Sequence, residues 1–201
     1  LAGAGSGKTR VITHRICHLL DKKVPAKAIL AVTFTNKAAA EMKERVVQMA
    51  GQRALGVTLS TFHAFGAEVL RENLHRLGWP KKFAIVDTGD QIALVRRAMK
   101  DRQIDDKVFD PRKILTIISR VKNSGAAATF DTSGEPDSLD DEFDEDEEPE
   151  QDNGDLELAA SLVFPLYQLA LKAQGAVDFD DLLVFPSRIF EEFPEVKQKY
   201  V

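Results

Sequence analysis

The chain has 201 residues, 44% of them hydrophobic, enough for one large domain or two small ones with a packed core. No run approaches eighteen consecutive apolar residues and no signal peptide stands at the start, so neither a membrane span nor a secretory leader is expected. A single cysteine, Cys17, excludes a disulfide framework and a cysteine-built zinc site, and fits a reducing cytosol.

The net charge of −5 conceals an asymmetry. Residues 131–157 (DTSGEPDSLDDEFDEDEEPEQDNGDLE) hold 15 of the 32 acidic residues and no Lys or Arg, which leaves 17 acids against 27 bases, a charge of +10, elsewhere. A basic body with an acidic run points to a polyanionic partner; a solvated surface with a solubilising loop is the plainer reading of the same charges.

Along the chain, LAGAGSGKTR opens onto a helical pattern over 8–20, with Cys17 a small core residue among Val11, Ile12, Ile16, Leu19 and Leu20. ILAVTF (29–34) is a short apolar run of β-formers, a buried strand. Asn36 is a candidate cap for a helix over 37–50, which Gly51 ends. VTLS (57–60) is a second strand, FHAFGAEVLRENLHRL a helix, and AIV (84–86) a third strand. The alternation predicts an α/β fold, a parallel sheet covered by helices. Thr88 with Gln91 reads as a capping box for a helix through Lys100. Helices follow over 111–123, 157–174 and 180–192, with no strand between 88 and 176. The stretch of roughly 124–156 cannot bury enough apolar surface to order itself. The expected organisation is an α/β domain interrupted by a helical insertion with a disordered acidic loop.

AGAGSGKT (2–9) matches the phosphate-binding loop, with Ala2 where the strict pattern has glycine. Gly3, Gly5 and Gly7, with Ala4 and Ser6 between them, let backbone N–H groups close around phosphate oxygens, and the helix that follows directs its dipole at the same anion. Lys8 would reach the β- and γ-phosphates of ATP, and Thr9 would offer its hydroxyl to Mg²⁺. A chance Gly-rich turn is the bland alternative.

VTFTNKAAAEM (32–42) and LSTFHAF (59–65) each run from a strand end into a helix, and strand carboxyl ends form the binding edge of an open α/β sheet. Each sets an aromatic beside small polar groups: Phe34 with Thr33, Thr35 and Asn36, and Phe62 with Thr61 and His63. Aromatics stack on unpaired bases and small polar groups contact phosphates. Taken alone, each has a plainer reading: Phe34 and Phe62 as core, Asn36 and Thr61 as helix caps, His63 as the partner of a backbone group.

Together, AGAGSGKTR, TFTNKAAAEMKERV, TFHAFG and VDFDDLL (177–183) resemble the UvrD/Rep/PcrA family of superfamily 1 DNA helicases, in order and across the whole chain. The resemblance implies a RecA-like P-loop NTPase fold whose parallel sheet has helices on both faces. It implies a first part of subdomain 1A over 1–87, a helical insertion, subdomain 1B, over 88–176 with the acidic loop at about 131–157, and a return to 1A over 177–201. It implies ATP and Mg²⁺ at Lys8 and Thr9 within the loop 2–9, with Arg10 near the adenine. Thr33, Phe34, Asn36, Thr61, Phe62 and His63 would line the path of single-stranded DNA. The aspartates 178, 180 and 181 support the nucleotide site or cap the next helix; capping is the favoured reading.

The implied activity is that of a 3′→5′ helicase or translocase acting on single strands and single/double-strand junctions in repair or replication, in the bacterial cytosol or nucleoid. The alternatives are the helicase part of an AddA/RecB-type helicase–nuclease, a nucleotide- and DNA-binding module without turnover, and a small-molecule kinase, which leaves the second and third motifs unexplained. Family members have a strand before the loop and a Walker B motif after the DFDDLL segment, so a fragment of a longer protein, inactive alone, is expected. The acidic run departs from the family pattern; it can compete with DNA phosphates for the basic body or dock a basic protein partner.

Overall fold

Helix α1 runs Lys8–Asp21, and on it Ile16, Cys17 and Leu20 share one buried face. These three meet Met42, Val46 and Ala50, the i, i+4, i+8 stripe of a second helix, α2 (Asn36–Ala50), so two amphipathic helices bury their apolar stripes together. In the computed structural model, which describes residues 7–124 and 153–200, this pair covers β1 (Leu30–Thr33) and β2 (Thr58–Thr61). The two strands are parallel, in a register that runs from Leu30 opposite Thr58 to Thr33 opposite Thr61. Helix α3 (Phe62–Asn73) leaves β2 without an intervening loop and buries Val69 and Leu70.

The chain divides into two compact units. The first holds the residues up to Asn73 and those from Pro186 on; the second is Leu74–Phe185. In the first, the C-terminal segment lies on α3. Tyr200 stands 5.7 Å from Phe65, edge to face, and 5.5 Å from Phe190, while Lys199 pairs with Glu72.

The second unit is mainly helical. β3 (Ala84–Ile85) pairs in parallel with β4 (Ala176–Val177), and α4 (Thr88–Asp101), α5 (Pro111–Asn123) and α6 (Asn153–Ala173) pack on one another. Leu94, Val95, Ala98 and Met99 from α4, Ile114, Ile117 and Ile118 from α5, and Ala160, Val163, Tyr167 and Leu171 from α6 fill the space between them. Gly175 takes a positive φ of 62° at the turn into β4, where an added Cβ would lie 3.4 Å from Pro80. α7 (Asp181–Glu192) follows β4 and crosses the unit boundary; a short helix, α8 (Pro194–Lys197), comes after it. Residues 88–176 lie within the second unit.

The fold is thus a mixture of helices and parallel strands, as expected, but four details differ. The described strands do not form one sheet: β1 pairs with β2, and β3 with β4 far along the chain, a non-local pairing that alternation along the sequence does not reveal. Helix α2 is capped by Thr35, whose Oγ1 accepts from the Ala38 N–H at 3.1 Å, so Asn36 is its first residue. Helix α4 is capped by Asp87, whose Oδ1 accepts from the Asp90 N–H at 2.9 Å, one residue before the expected Thr88. In both cases the residue one place earlier has the extended backbone a cap needs. Finally, α6 begins at Asn153, inside the stretch expected to be unstructured: Leu156 is buried and Glu157 bonds Arg120 at 2.8 Å. Residues 125–152, with most of the acidic run, lie outside the described residues.

Segment Gly154–Ala173 of α6 is long and apolar enough to cross a membrane by length and composition, with mean hydropathy 1.2. Its packing against α4 and α5 makes one of its faces a core face.

Candidate nucleotide and nucleic-acid edge

The first unit alternates helix and strand from α1 to α3, the arrangement in which helix amino ends and strand carboxyl ends form the binding edge. At the first of these ends Gly7 has φ 82°, a left-handed conformation that glycine takes at no steric cost. Among the described residues no side chain caps α1, and its first turn holds no acidic residue. The first N–H groups of a helix, with the dipole behind them, favour an anion. Thr9 is half-buried, and its carbonyl accepts the buried Thr13 hydroxyl at 2.6 Å, which fixes this turn. Arg10 is exposed. Ala2, Gly3, Ala4, Gly5 and Ser6 lie outside the described residues, as does the side chain of Lys8.

At the strand ends the register does the positioning. Thr33 and Thr61 are opposite each other, so the next residues, Phe34 and Phe62, leave their strands at the same level. Their ring centroids are 5.4 Å apart at an interplanar angle of 48°. Phe34 is 87% exposed and Phe62 40%, so neither is the core residue that an isolated phenylalanine suggests. The polar neighbours are divided between scaffold and edge. Thr61 is buried and its Oγ1 accepts from the Ala64 N–H at 3.2 Å, the capping role. Thr35 caps α2, leaving Asn36 exposed beside Phe34. Thr33 and His63 are half-buried. Among the described residues no cluster of histidine, cysteine and acidic side chains stands ready to hold a metal ion.

The chain matches known proteins over its full length. The model of the UvrD/REP helicase N-terminal domain matches residues 1–201. The chain belongs to the UvrD/Rep helicase family. Among similar proteins, the ATP-dependent DNA helicase PcrA of Bacillus subtilis is 41% identical over 202 residues, covering all of this chain and 25% of its own length. PcrA proteins of Staphylococcus aureus and Staphylococcus epidermidis are 39% identical over 201 residues, with the same coverage. The chain thus spans about a quarter of the length of the curated relatives it matches.

One constellation of this UvrD/Rep domain escaped the motif reading. In the second unit the Lys122 ammonium, 3% exposed, bonds Asp178 Oδ2 at 2.6 Å and Asp181 Oδ1 at 2.9 Å, both carboxylates being 1% exposed. Tyr167 donates to Asp178 Oδ2 at 2.8 Å, and its ring lies 5.3 Å from the ammonium. Gln168 Nε2 donates to Asp181 at 3.3 Å. The Asp181 N–H donates to Asp178 Oδ1 and the Asp178 N–H to Asp181 Oδ2, reciprocal bonds that start α7. Asp180 accepts from Asn123 Nδ2 at 2.9 Å. Capping therefore holds for Asp178, with an ion-pair cluster added to it. Burial pushes the Asp181 carboxyl up to about 6 against the pull of Lys122, and burial beside Asp178 raises the Tyr167 phenol as well. The available signal was Lys122 itself, which extends the Ile114–Ile118 row by one more step of four and so stands on the buried stripe of α5.

Proposed function

We propose that the chain is the ATP- and single-stranded-DNA-binding part of a 3′→5′ DNA helicase or translocase that works in the cytoplasm, in repair or replication. The observation that carries this reading is the exposed Phe34–Phe62 pair, set by strand register at the carboxyl ends of β1 and β2 in a chain of the UvrD/Rep family. The domain match and the PcrA relatives favour the helicase over the AddA/RecB-type helicase–nuclease and over a kinase.

The chemistry of the α1 amino end fits a nucleotide. Backbone N–H groups after Gly7 would hold phosphate oxygens, with the loop 2–7 completing the cradle. Lys8 would bind the β- and γ-phosphates, Thr9 would present its hydroxyl to Mg²⁺, and the exposed Arg10 is the candidate for the base. When bound, ATP supplies a phosphoanhydride to be cleaved, and Mg²⁺ offsets the charge on its phosphates. Phe34 and Phe62 would stack on bases of the single strand without reading sequence, while Thr33, Asn36 and His63 would meet its backbone. Thr61, occupied as a cap, would hold Phe62 in place. On this reading the first unit is the RecA-like subdomain 1A and the 88–176 segment the insertion 1B.

The test is the ATPase rate of the full-length protein with and without single-stranded DNA, together with unwinding of a duplex bearing a 3′ tail. Stimulation with unwinding is expected. An ATPase indifferent to DNA would overturn the reading.

A further inference from the structure

Thr13 stands where a valine would serve for packing. With Ile16, Cys17 and Leu20 it forms the i, i+3, i+4, i+7 stripe that α1 buries, and at 1% exposed it is the most buried of the four. Its hydroxyl is cut off from water and needs a partner within the protein. That partner is four residues back: Thr13 Oγ1 donates to the Thr9 carbonyl at 2.6 Å. Thr116 on α5 makes the same bond to the Arg112 carbonyl at 3.0 Å, but it is exposed, so water can take the place of that bond. At Thr13 water cannot. A bond of this kind adds nothing to the stability of a helix and often bends it. Packing therefore accounts for the shape of Thr13 and leaves its hydroxyl unexplained.

The place of the bond supplies the explanation. The helix ladder already directs the Thr13 N–H to the Thr9 carbonyl, so one residue offers that oxygen two donors. A carbonyl held in this way fixes the peptide plane between Thr9 and Arg10, and with it rotation about the Thr9 Cα–C bond. The direction of the Thr9 Cβ follows, and a β-branched side chain in a helix then has few rotamers to choose from. Thr9 is half-buried in the first turn of α1, two residues beyond the left-handed Gly7. Its hydroxyl is an oxygen ligand of the kind Mg²⁺ takes, and a nucleotide-bound Mg²⁺ needs few protein ligands, since phosphates and water complete its shell.

We propose that Thr13 is a positioning residue for the nucleotide site: its buried hydroxyl, acting through the Thr9 carbonyl, holds the Thr9 side chain in the orientation that meets the Mg²⁺ of bound ATP. The inference rests on the proposed role of Thr9 at the metal and extends it by one residue into the core. Thr13 touches neither metal nor nucleotide, so its effect is confined to what Thr9 contributes. Thr13→Val keeps the β-branched shape, and it orphans no group, because the Thr9 carbonyl retains the Thr13 N–H. The variant should melt at the wild-type temperature or slightly above it.

Isothermal titration calorimetry of the full-length protein with the non-hydrolysable analogue adenylyl imidodiphosphate, once with Mg²⁺ and once with EDTA, tests the proposal. Thr13→Val should weaken binding in Mg²⁺ by about tenfold, the low end for a group that orients a metal ligand, and leave binding in EDTA unchanged. Thr13→Ser carries the same hydroxyl and should restore the affinity in Mg²⁺. The Mg²⁺ concentration that half-saturates the ATPase should rise in Thr13→Val and return in Thr13→Ser. Thr9→Ala is the reference and should abolish the gain that Mg²⁺ brings. If Thr9→Ala keeps that gain, the role of Thr9 at the metal falls, and the inference with it. If Thr9→Ala loses the gain while Thr13→Val binds like wild type, Thr9 stands and Thr13 is a packing residue only. Two further results would overturn the proposal: an equal loss in Mg²⁺ and in EDTA, which would place the effect on the phosphates through the Arg10 N–H of the same peptide plane; or a loss that Thr13→Ser does not rescue, together with a lowered melting temperature of Thr13→Val, which would make the hydroxyl a part of the fold alone.

Discussion

The rings of Phe34 and Phe62 stand 5.4 Å apart, each one residue beyond a threonine, and the two threonines face each other in the register of β1 and β2. The spacing is therefore a product of strand pairing. A one-residue slip of either strand would turn its own side chains to the other face and dissolve the pair.

Alanine at Phe34 or Phe62 should weaken single-stranded DNA binding by about 1–3 kcal/mol each, the worth of a base stacked on an aromatic. Because Phe34 is 87% exposed, Phe34→Ala should leave the melting temperature within a degree or so of wild type. Fluorescence anisotropy with a labelled oligonucleotide, paired with thermal unfolding, checks both halves. A lowered melting temperature with unchanged affinity would return these residues to a packing role.

Lys8→Ala in the full-length protein should cut DNA-stimulated ATPase by on the order of a hundredfold or more, as expected for a cation removed from a site of developing charge. The circular dichroism spectrum should be unchanged, since Lys8 stands at the open end of α1. Steady-state ATPase near the wild-type rate would remove the lysine from the chemistry.

The acidic run would act on DNA binding through charge. Of its 15 carboxylates all but Asp155 and Glu157 precede α6, and the rest of the chain carries +10, so those that precede it would compete with phosphates for lysines and arginines. Deleting residues 135–150 from the full-length protein should tighten DNA binding at low salt, with the gain fading as ionic strength rises. Superimposable titrations at every salt concentration would leave the run a passive solubiliser or a dock for a basic protein.

The sequence yields most readily those elements whose causes are local. The periodicity of apolar residues locates α1, α2, α4 and α5 to within a residue or two, because a buried stripe on a helix leaves its period in the chain. The strand-to-helix turns at Phe34 and Phe62 were legible for the same reason, but their exposure and proximity were not, since these depend on the pairing of residues 28 positions apart. The choice of Thr35 over Asn36 as the cap of α2 also needed backbone geometry, as both are good capping residues and only the extended one can act, whereas Thr61 was already readable as a cap. Least legible was the partnership of Lys122 with Asp178 and Asp181, which joins positions 56 and 59 residues apart.

The caps give a direct test of that local geometry. Asp87→Ala should cost about 1 kcal/mol, because it strips the Asp90 N–H of its acceptor, whereas Thr88→Ala should cost only a few tenths. Urea unfolding of both variants checks the order. The reverse order would restore Thr88 as the cap.

Removing the Lys122 ammonium should be far more costly, and its cost should depend on pH. Lys122→Met keeps much of the side chain's bulk but leaves two carboxylates, each 1% exposed, without a counter-charge. Breaking a buried pair in this way costs roughly 3–5 kcal/mol near neutral pH. The pH dependence follows from Asp181, whose carboxyl is held up at about 6 by burial even though Lys122 pulls it down. A carboxyl raised in the folded state binds its proton more tightly folded than unfolded, so its contribution to stability is best at low pH and is lost as pH rises through the folded value. Without Lys122 the folded value moves higher still, and protonation of Asp181 relieves more of the penalty. The deficit of Lys122→Met relative to wild type should therefore be largest at pH 7–8 and should shrink as the pH falls through 6 toward 5. Melting temperatures of both proteins across pH 5–8 measure it, with Asp181→Asn in the Lys122→Met background as the control. That second change takes away the charge that titrates, so it should flatten the pH dependence and recover part of the lost stability at pH 7.5. A deficit that stays constant from pH 5 to 8 would mean that Lys122 acts through its packing against Tyr167 and not through its charge.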